Sequence, residues 1–135
     1  MTKEEIINKI KSEVLSMNLR ESYINDTLSE VYTKFYIDSN GDLYSIQAIN
    51  KDEEPEAAFE GRDKLVWSIK PKDIENVQFD ALDENGDPIS DTDFAKSLTD
   101  EEFIDTIFGG YYDEEQRYFV DTDFDGYLEH QIKNI

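Results

Sequence analysis

The chain has no cysteine. That excludes a disulfide framework, a thiolate zinc site and a cysteine nucleophile. It has one histidine, His130, and one tryptophan, Trp67. With a lone histidine, no Gly-x-Ser-x-Gly elbow and no Ser–His–Asp spacing, nucleophilic catalysis has no support. The six glycines form no phosphate-cradling loop. No apolar run reaches the length of a membrane span. The polar start Met-Thr-Lys-Glu-Glu lacks the apolar core of a signal peptide. A cytoplasmic location with no membrane partner is the expectation. Positive charge is also scarce: 13 Lys and Arg stand against 33 Asp and Glu, a formal net charge of −20. Such a chain repels nucleic acid and anionic lipid. It favours a cationic partner, or high solubility alone.

Aromatic residues, by contrast, are plentiful. Eight Phe, eight Tyr and the Trp argue against disorder in a chain of 135 residues, a length that fits one domain with a real core. The charge is divided unevenly. Residues 1–72 carry 14 acids and ten bases, a net of −4; residues 73–129 carry 19 acids and only Lys96 and Arg117, a net of −17. Apolar residues such as Val77, Phe79, Leu82, Phe94, Phe103 and Ile104 are threaded through the acidic half, so it is folded and not a solvated tail.

Thr2 and Glu5 have capping-box spacing, and Ile6, Ile7, Ile10, Val14 and Leu15 repeat at helical spacing, which predicts an N-terminal amphipathic helix over 3–17. Lys3, Glu4, Lys9, Lys11 and Glu13 read as its solvated face. A short helix near 21–30 is expected to lead into a strand at 31–37. Asp38-Ser-Asn-Gly-Asp42 reads as a hairpin turn into Leu43–Ile49. Residues 51–61 read as a loop, 64–69 as a strand, 73–76 as a tight turn or single helical turn, and 77–82 as another strand. Asp83-Glu-Asn-Gly-Asp87 repeats the earlier turn chemistry. Residues 91–98 suggest a short helix, and Thr99 with Glu102 a second capping box whose helix stops at Gly109-Gly110. Residues 111–116 read as a linker, and 117–121 and 127–132 as two strands. The fold class expected is α+β, a single domain over 1–135. It has one antiparallel sheet of five to seven strands built from hairpins, and two or three helices.

Three constellations could carry chemistry. Asp121, Asp123, Asp125, Gly126 and Glu129 resemble the first half of an EF-hand calcium loop, but Ile132 stands where the bidentate Glu belongs. An Asp/Gly-rich hairpin turn is the plainer reading of that stretch and the preferred one; only weak divalent binding at Asp121, Asp123, Asp125 and Glu129 would survive as a metal site. The two Asp-x-Asn-Gly-Asp segments could also ligate a cation, though turn chemistry accounts for them. The third is the acidic surface. Asp91/Asp93 and Asp121/Asp123/Asp125 alternate at i, i+2, which in an extended chain spaces carboxylates by about 6.6 Å, comparable to successive phosphates of one nucleic-acid strand. Glu101, Glu102 and Asp105 add charge, as do Asp113, Glu114 and Glu115, while Tyr111, Tyr112 and Tyr127 are natural interface anchors.

In composition, although no motif aligns, the chain resembles the DNA-mimic inhibitors among phage and plasmid antidefence proteins. The resemblance implies a non-enzymatic, cofactor-free protein that binds and blocks a basic, nucleic-acid-binding enzyme through the acids and tyrosines just named. The alternatives are an immunity protein against a basic toxin nuclease, a calcium-responsive module at 121–129, a carboxylate-only metalloenzyme, and a solvated acidic surface with no partner.

Overall fold

The computed structural model describes residues 1–132. Helix α1 spans Lys3–Ser16 and starts in the expected capping box: the Thr2 hydroxyl accepts from the Glu5 N–H, and the Glu5 carboxylate accepts from the Thr2 N–H. Those bonds to Thr2 hold the Glu5 carboxyl below its ordinary value. Ile6, Ile7, Ile10 and Val14 form the buried stripe. Helix α2, Leu19–Asn25, lies between Asn18 (φ 53) and Asp26 (φ 55). Both are residue types that tolerate the left-handed region.

Strands β1 (Tyr32–Ile37), β2 (Leu43–Ala48) and β3 (Lys64–Ile69) form an antiparallel sheet in the order β2-β1-β3. The β1–β2 turn is fixed by Asp38, whose Oδ1 accepts from the Asn40 and Asp42 N–H groups at 2.9 and 3.0 Å, with Gly41 at φ 80. Central β1 is buried on both faces. Phe35 packs on Trp67 and the helices, whereas Lys34 and Tyr36 lie on the opposite face. The β2–β3 connection crosses that second face as a strap: Lys34, 4% exposed, donates from Nζ to the Lys51 and Glu53 carbonyls at 3.0 and 2.9 Å. The segment read as an unstructured loop thus contains one helical turn, α3 (Glu56–Phe59), and anchors a buried cation.

In the acidic half, a 3-10 turn at Pro71–Ile74 is followed by helices α4 (Asp91–Lys96) and α5 (Asp100–Ile107), a two-stranded antiparallel hairpin of β4 (Gly110–Asp113) and β5 (Tyr118–Asp121), and helix α6 (Phe124–Gln131). Helices α1, α2, α4, α5 and α6 pack on one another and on the inner face of the sheet. Two aromatic groups fill the core. Trp67 meets Phe35, Phe108, Phe124 and Tyr127; Phe79 meets Tyr23, Phe94 and Phe103.

The α+β class holds, with antiparallel pairing throughout. The single sheet of five to seven strands does not: among the described residues there are five strands in two small sheets, and six α-helices where two or three were expected. Residues 77–82 are not a strand. Val77 and Phe79 turn inward and Gln78 and Asp80 outward, so the alternation is real, but no strand lies beside them. The Phe79 N–H instead donates to Asp91 Oδ1 at 2.9 Å, and only Leu82 and Pro88 form an isolated bridge across the Asp83–Asp87 turn. Residues 111–116 are not a linker; they hold most of β4 and the hairpin turn. Residues 127–132 are not a strand. Phe124, Leu128 and Ile132 are buried at i, i+4 and i+8, the period of a helix, and Asp123 caps that helix by accepting from the Gly126 N–H at 2.9 Å. The Asp-Phe-Asp-Gly sequence is therefore a helix start and not a hairpin turn.

Candidate interaction surface

The acids singled out from the sequence divide into two groups once folded. One group holds the fold together. Asp91 accepts from Phe79, Glu102 closes the capping box with the Thr99 N–H at 2.9 Å, and Asp105 Oδ1 accepts from the Phe124 N–H at 3.0 Å, tying α5 to the start of α6. Asp123 caps α6. Glu101 and Asp125 converge on Lys11, at 2.9 and 3.4 Å from its Nζ. The hydrogen bond that Lys11 donates to the Glu101 carboxylate raises the Lys11 pKa above its ordinary value, against a smaller opposing effect of burial. Lys11 is thus no member of a solvated face but a clamp between α1, α5 and α6. Arg20 reaches Asp100 across 2.7 Å in the same way, from α2 to α5. The cations of the near-neutral half offset part of the charge of the acidic half at these helix contacts.

The second group sits on or beside the β4–β5 hairpin. Asp113 shapes the hairpin turn: its Oδ1 accepts from the Glu115 and Gln116 N–H groups at 3.0 and 3.1 Å, and Arg117 takes a left-handed φ of 61. Glu114, Glu115 and Asp121 are exposed, and their carboxylates have no hydrogen-bond or ion-pair partner among the described residues. Asp93, on α4, is exposed in the same manner. Tyr112, Asp113, Glu114, Glu115 and His130 surround a concavity of about 460 Å³ at the end of the hairpin. Tyr111 stacks on His130 with ring centres 3.8 Å apart and planes 9° apart, which fixes the hairpin against α6 and gives the lone histidine a packing role. Tyr127 is turned toward Trp67 and Phe108, while Tyr112 points to solvent, 54% exposed.

Sequence reasoning passed over Tyr118 and Phe119, which are 50% and 62% exposed. Phe119 pairs with Tyr112 across the hairpin, so the two rings share one sheet face with Asp121. The Phe119 ring also lies on Gly110, in the space a Cβ there would need. The signal that could have found this face is Tyr-Tyr-Asp…Tyr-Phe-Val-Asp read as two alternating strands around a four-residue turn.

The i, i+2 carboxylate rows do not form in extended chain. Asp91 and Asp93 lie in the first turn of α4; Asp121 ends a strand, Asp123 caps a helix and Asp125 lies within it. The strand–helix transition at 121–124 also departs from an EF-hand loop, which joins two helices. Among the described residues no group of three or more His, Asp or Glu is arranged to hold a metal ion. No described helix is long and apolar enough to cross a membrane. Comparison with protein-family models, curated proteins and solved structures finds no match to this chain.

Proposed function

We propose that the protein is an acidic binding module that docks onto the cationic surface of a nucleic-acid-binding protein and keeps nucleic acid from it. The observation that carries this reading is the β4–β5 hairpin. It exposes Tyr112 and Phe119 on one face and Tyr118 on the other, with Asp113, Glu114 and Glu115 at its turn and Asp121 at its far end, and among the described residues no cation pairs with the last three. Exposed aromatics supply interface energy, and unpaired carboxylates supply steering and register. A net charge of −20 adds a long-range field that draws a basic partner and repels other polyanions. Binding would release the partner's counterions much as nucleic acid does, so the two compete for one groove.

The test is capture of partners from a bacterial lysate on immobilised protein, eluted with stepped salt, followed by competition with duplex DNA. A stoichiometric nucleic-acid-binding protein leaving between about 0.1 and 0.5 M salt, and displaced by DNA, supports the reading. A Glu114→Gln, Glu115→Gln, Asp121→Asn variant should lose that partner, while Glu84→Gln in the distant 83–87 turn should keep it. Capture of generally basic proteins alone, equal for both variants, would return the surface to a nonspecific polyanion. Asp123 and Asp125 are poor probes, since one caps α6 and the other pairs with Lys11.

A further inference from the structure

The outer edge of β5 is unusual for a sheet edge. Among the described residues β5 has β4 as its only strand neighbour, and no described strand lies along the other side of its backbone. Natural edges are blunted by shortness, by charged side chains and lysine above all, by proline, by bulges or by a covering element; β5 is short and ends in the acid Asp121, which opposes an anionic strand but not a basic one. β5 reads Tyr118-Phe119-Val120-Asp121, with no lysine, no proline and a regular register through Gly110↔Asp121, Tyr111↔Val120, Tyr112↔Phe119 and Asp113↔Tyr118. Three of its four residues are exposed, two of them aromatic. On geometry alone such an edge invites a further strand. Charge decides which strand. A second copy of this chain would bring another net −20 and set Glu114, Glu115 and Asp121 against like charges. The same carboxylates match a basic segment.

On the reading above, we propose that β5 is the docking edge for an extended, arginine-bearing segment of the partner, which pairs with Tyr118–Asp121 as a third strand of the hairpin. Its backbone bonds to β5. Its guanidinium groups lie on the face of Tyr112, Phe119 and Asp121, stacking on the rings and pairing with the carboxylate, and reach Glu114 and Glu115 at the turn; its apolar side chains lie on the opposite face, over Tyr118 and Val120. Guanidinium fits both parts of this surface, since it pairs bidentately with carboxylates and stacks on aromatic rings.

The experiment uses the full chain and three blocked octapeptides: one alternating Arg and Val, the same peptide with every second amide N-methylated, and one alternating Glu and Val. Affinity is read by calorimetry, and amide exchange of residues 110–121 by NMR. The Arg/Val peptide should bind and slow exchange in Tyr118–Asp121. The N-methylated peptide, equal in charge but poor in backbone donors, should bind at least about tenfold more weakly, the effect of losing two or more hydrogen bonds. The Glu/Val peptide should not bind. Equal, salt-sensitive affinity for both arginine peptides, or protection mapping to α4 in place of β5, overturns strand addition while leaving charge-driven docking intact. No affinity for either arginine peptide overturns both readings. Concentration-dependent self-association of the chain alone, with β5 protected, would show that the edge takes a second copy and would also overturn the proposal.

Discussion

At the scale of single residues, Tyr36 is the most informative. It is 0% exposed, stacks on Tyr44, and its hydroxyl has no hydrogen-bond partner among the described residues. An unpartnered buried hydroxyl costs its own desolvation, so Tyr36→Phe should leave stability unchanged or raise it by about 1 kcal/mol in urea unfolding. A loss of that size would mean the hydroxyl is bonded in solution. Its neighbour Tyr44 donates to Asp63 and is pushed up to about 12, first by burial and then by that bond. Because the folded value exceeds the ordinary 10.0, the stabilising contribution is present below pH 10 and disappears as the pH rises through about 12. Ultraviolet titration should show a late tyrosine component that is lost in Tyr44→Phe; the same late component in both proteins would contradict it. Gly126 is needed for space and not for backbone freedom. Replacing a helical Gly by Ala ordinarily gains about 1 kcal/mol. A Cβ at 126, however, would collide with the Thr122 Oγ1. Gly126→Ala should therefore cost about 1–3 kcal/mol, as overpacking does, and Thr122→Ala should restore part of it.

At the scale of elements, capping chemistry was the legible part. Thr2/Glu5 and Thr99/Glu102 form the capping boxes their spacing implies, and the two Asp-x-Asn-Gly-Asp turns close through Asp38 and Asp83 as expected. Misreading came where one local signal serves two structures. Asp123-Phe-Asp-Gly126 satisfies a turn and a helix N-cap equally well, and the choice depends on Phe124 and Leu128 meeting the core together. Residues 77–82 alternate as a strand does, yet a strand needs a neighbour that sequence does not announce. The strap over the sheet was equally hidden, because its anchor is the Lys34 ammonium bonded to backbone carbonyls. Lys34→Met should loosen it. Amide exchange in residues 52–60 is expected to accelerate well beyond any change in the sheet; unchanged exchange there would show that the strap is held by other contacts.

For the whole molecule, the surplus of negative charge opposes folding. The clamps Lys11–Glu101/Asp125 and Arg20–Asp100 reduce that cost locally, but among the described residues Glu114, Glu115 and Asp121 have no ion-pair partner. Screening should therefore stabilise the chain: raising salt from about 10 mM to 0.5 M shortens the Debye length from about 30 Å to a few Å. The melting temperature should rise by a few degrees, with about 1 kcal/mol corresponding to roughly 3–4 °C in a domain of this length. A fall in melting temperature would mean that the ion-pair clamps outweigh the repulsion. The Lys11 clamp also carries a pH sign. Since its pKa is raised, the contribution is present below the ordinary lysine value of 10.5 and is lost only as the pH climbs past the raised one.

What the amino-acid order settled is whatever depends on near neighbours: the α1 stripe, the capping boxes, the Asp-Gly turns, the α+β class, the excess of acid and the exclusion of thiol chemistry. What only folding settled depends on contacts between residues far apart in the chain. Lys11 meets Asp125 across 114 positions, and Arg20 lies 80 positions from Asp100. Those contacts make some acids structural and leave others, among the described residues, without a partner, whereas the placing of Tyr112, Phe119 and Asp121 on one face follows from the β4–β5 register. Charge composition is additive along a sequence, whereas the neutralisation of any one charge depends on distance in three dimensions.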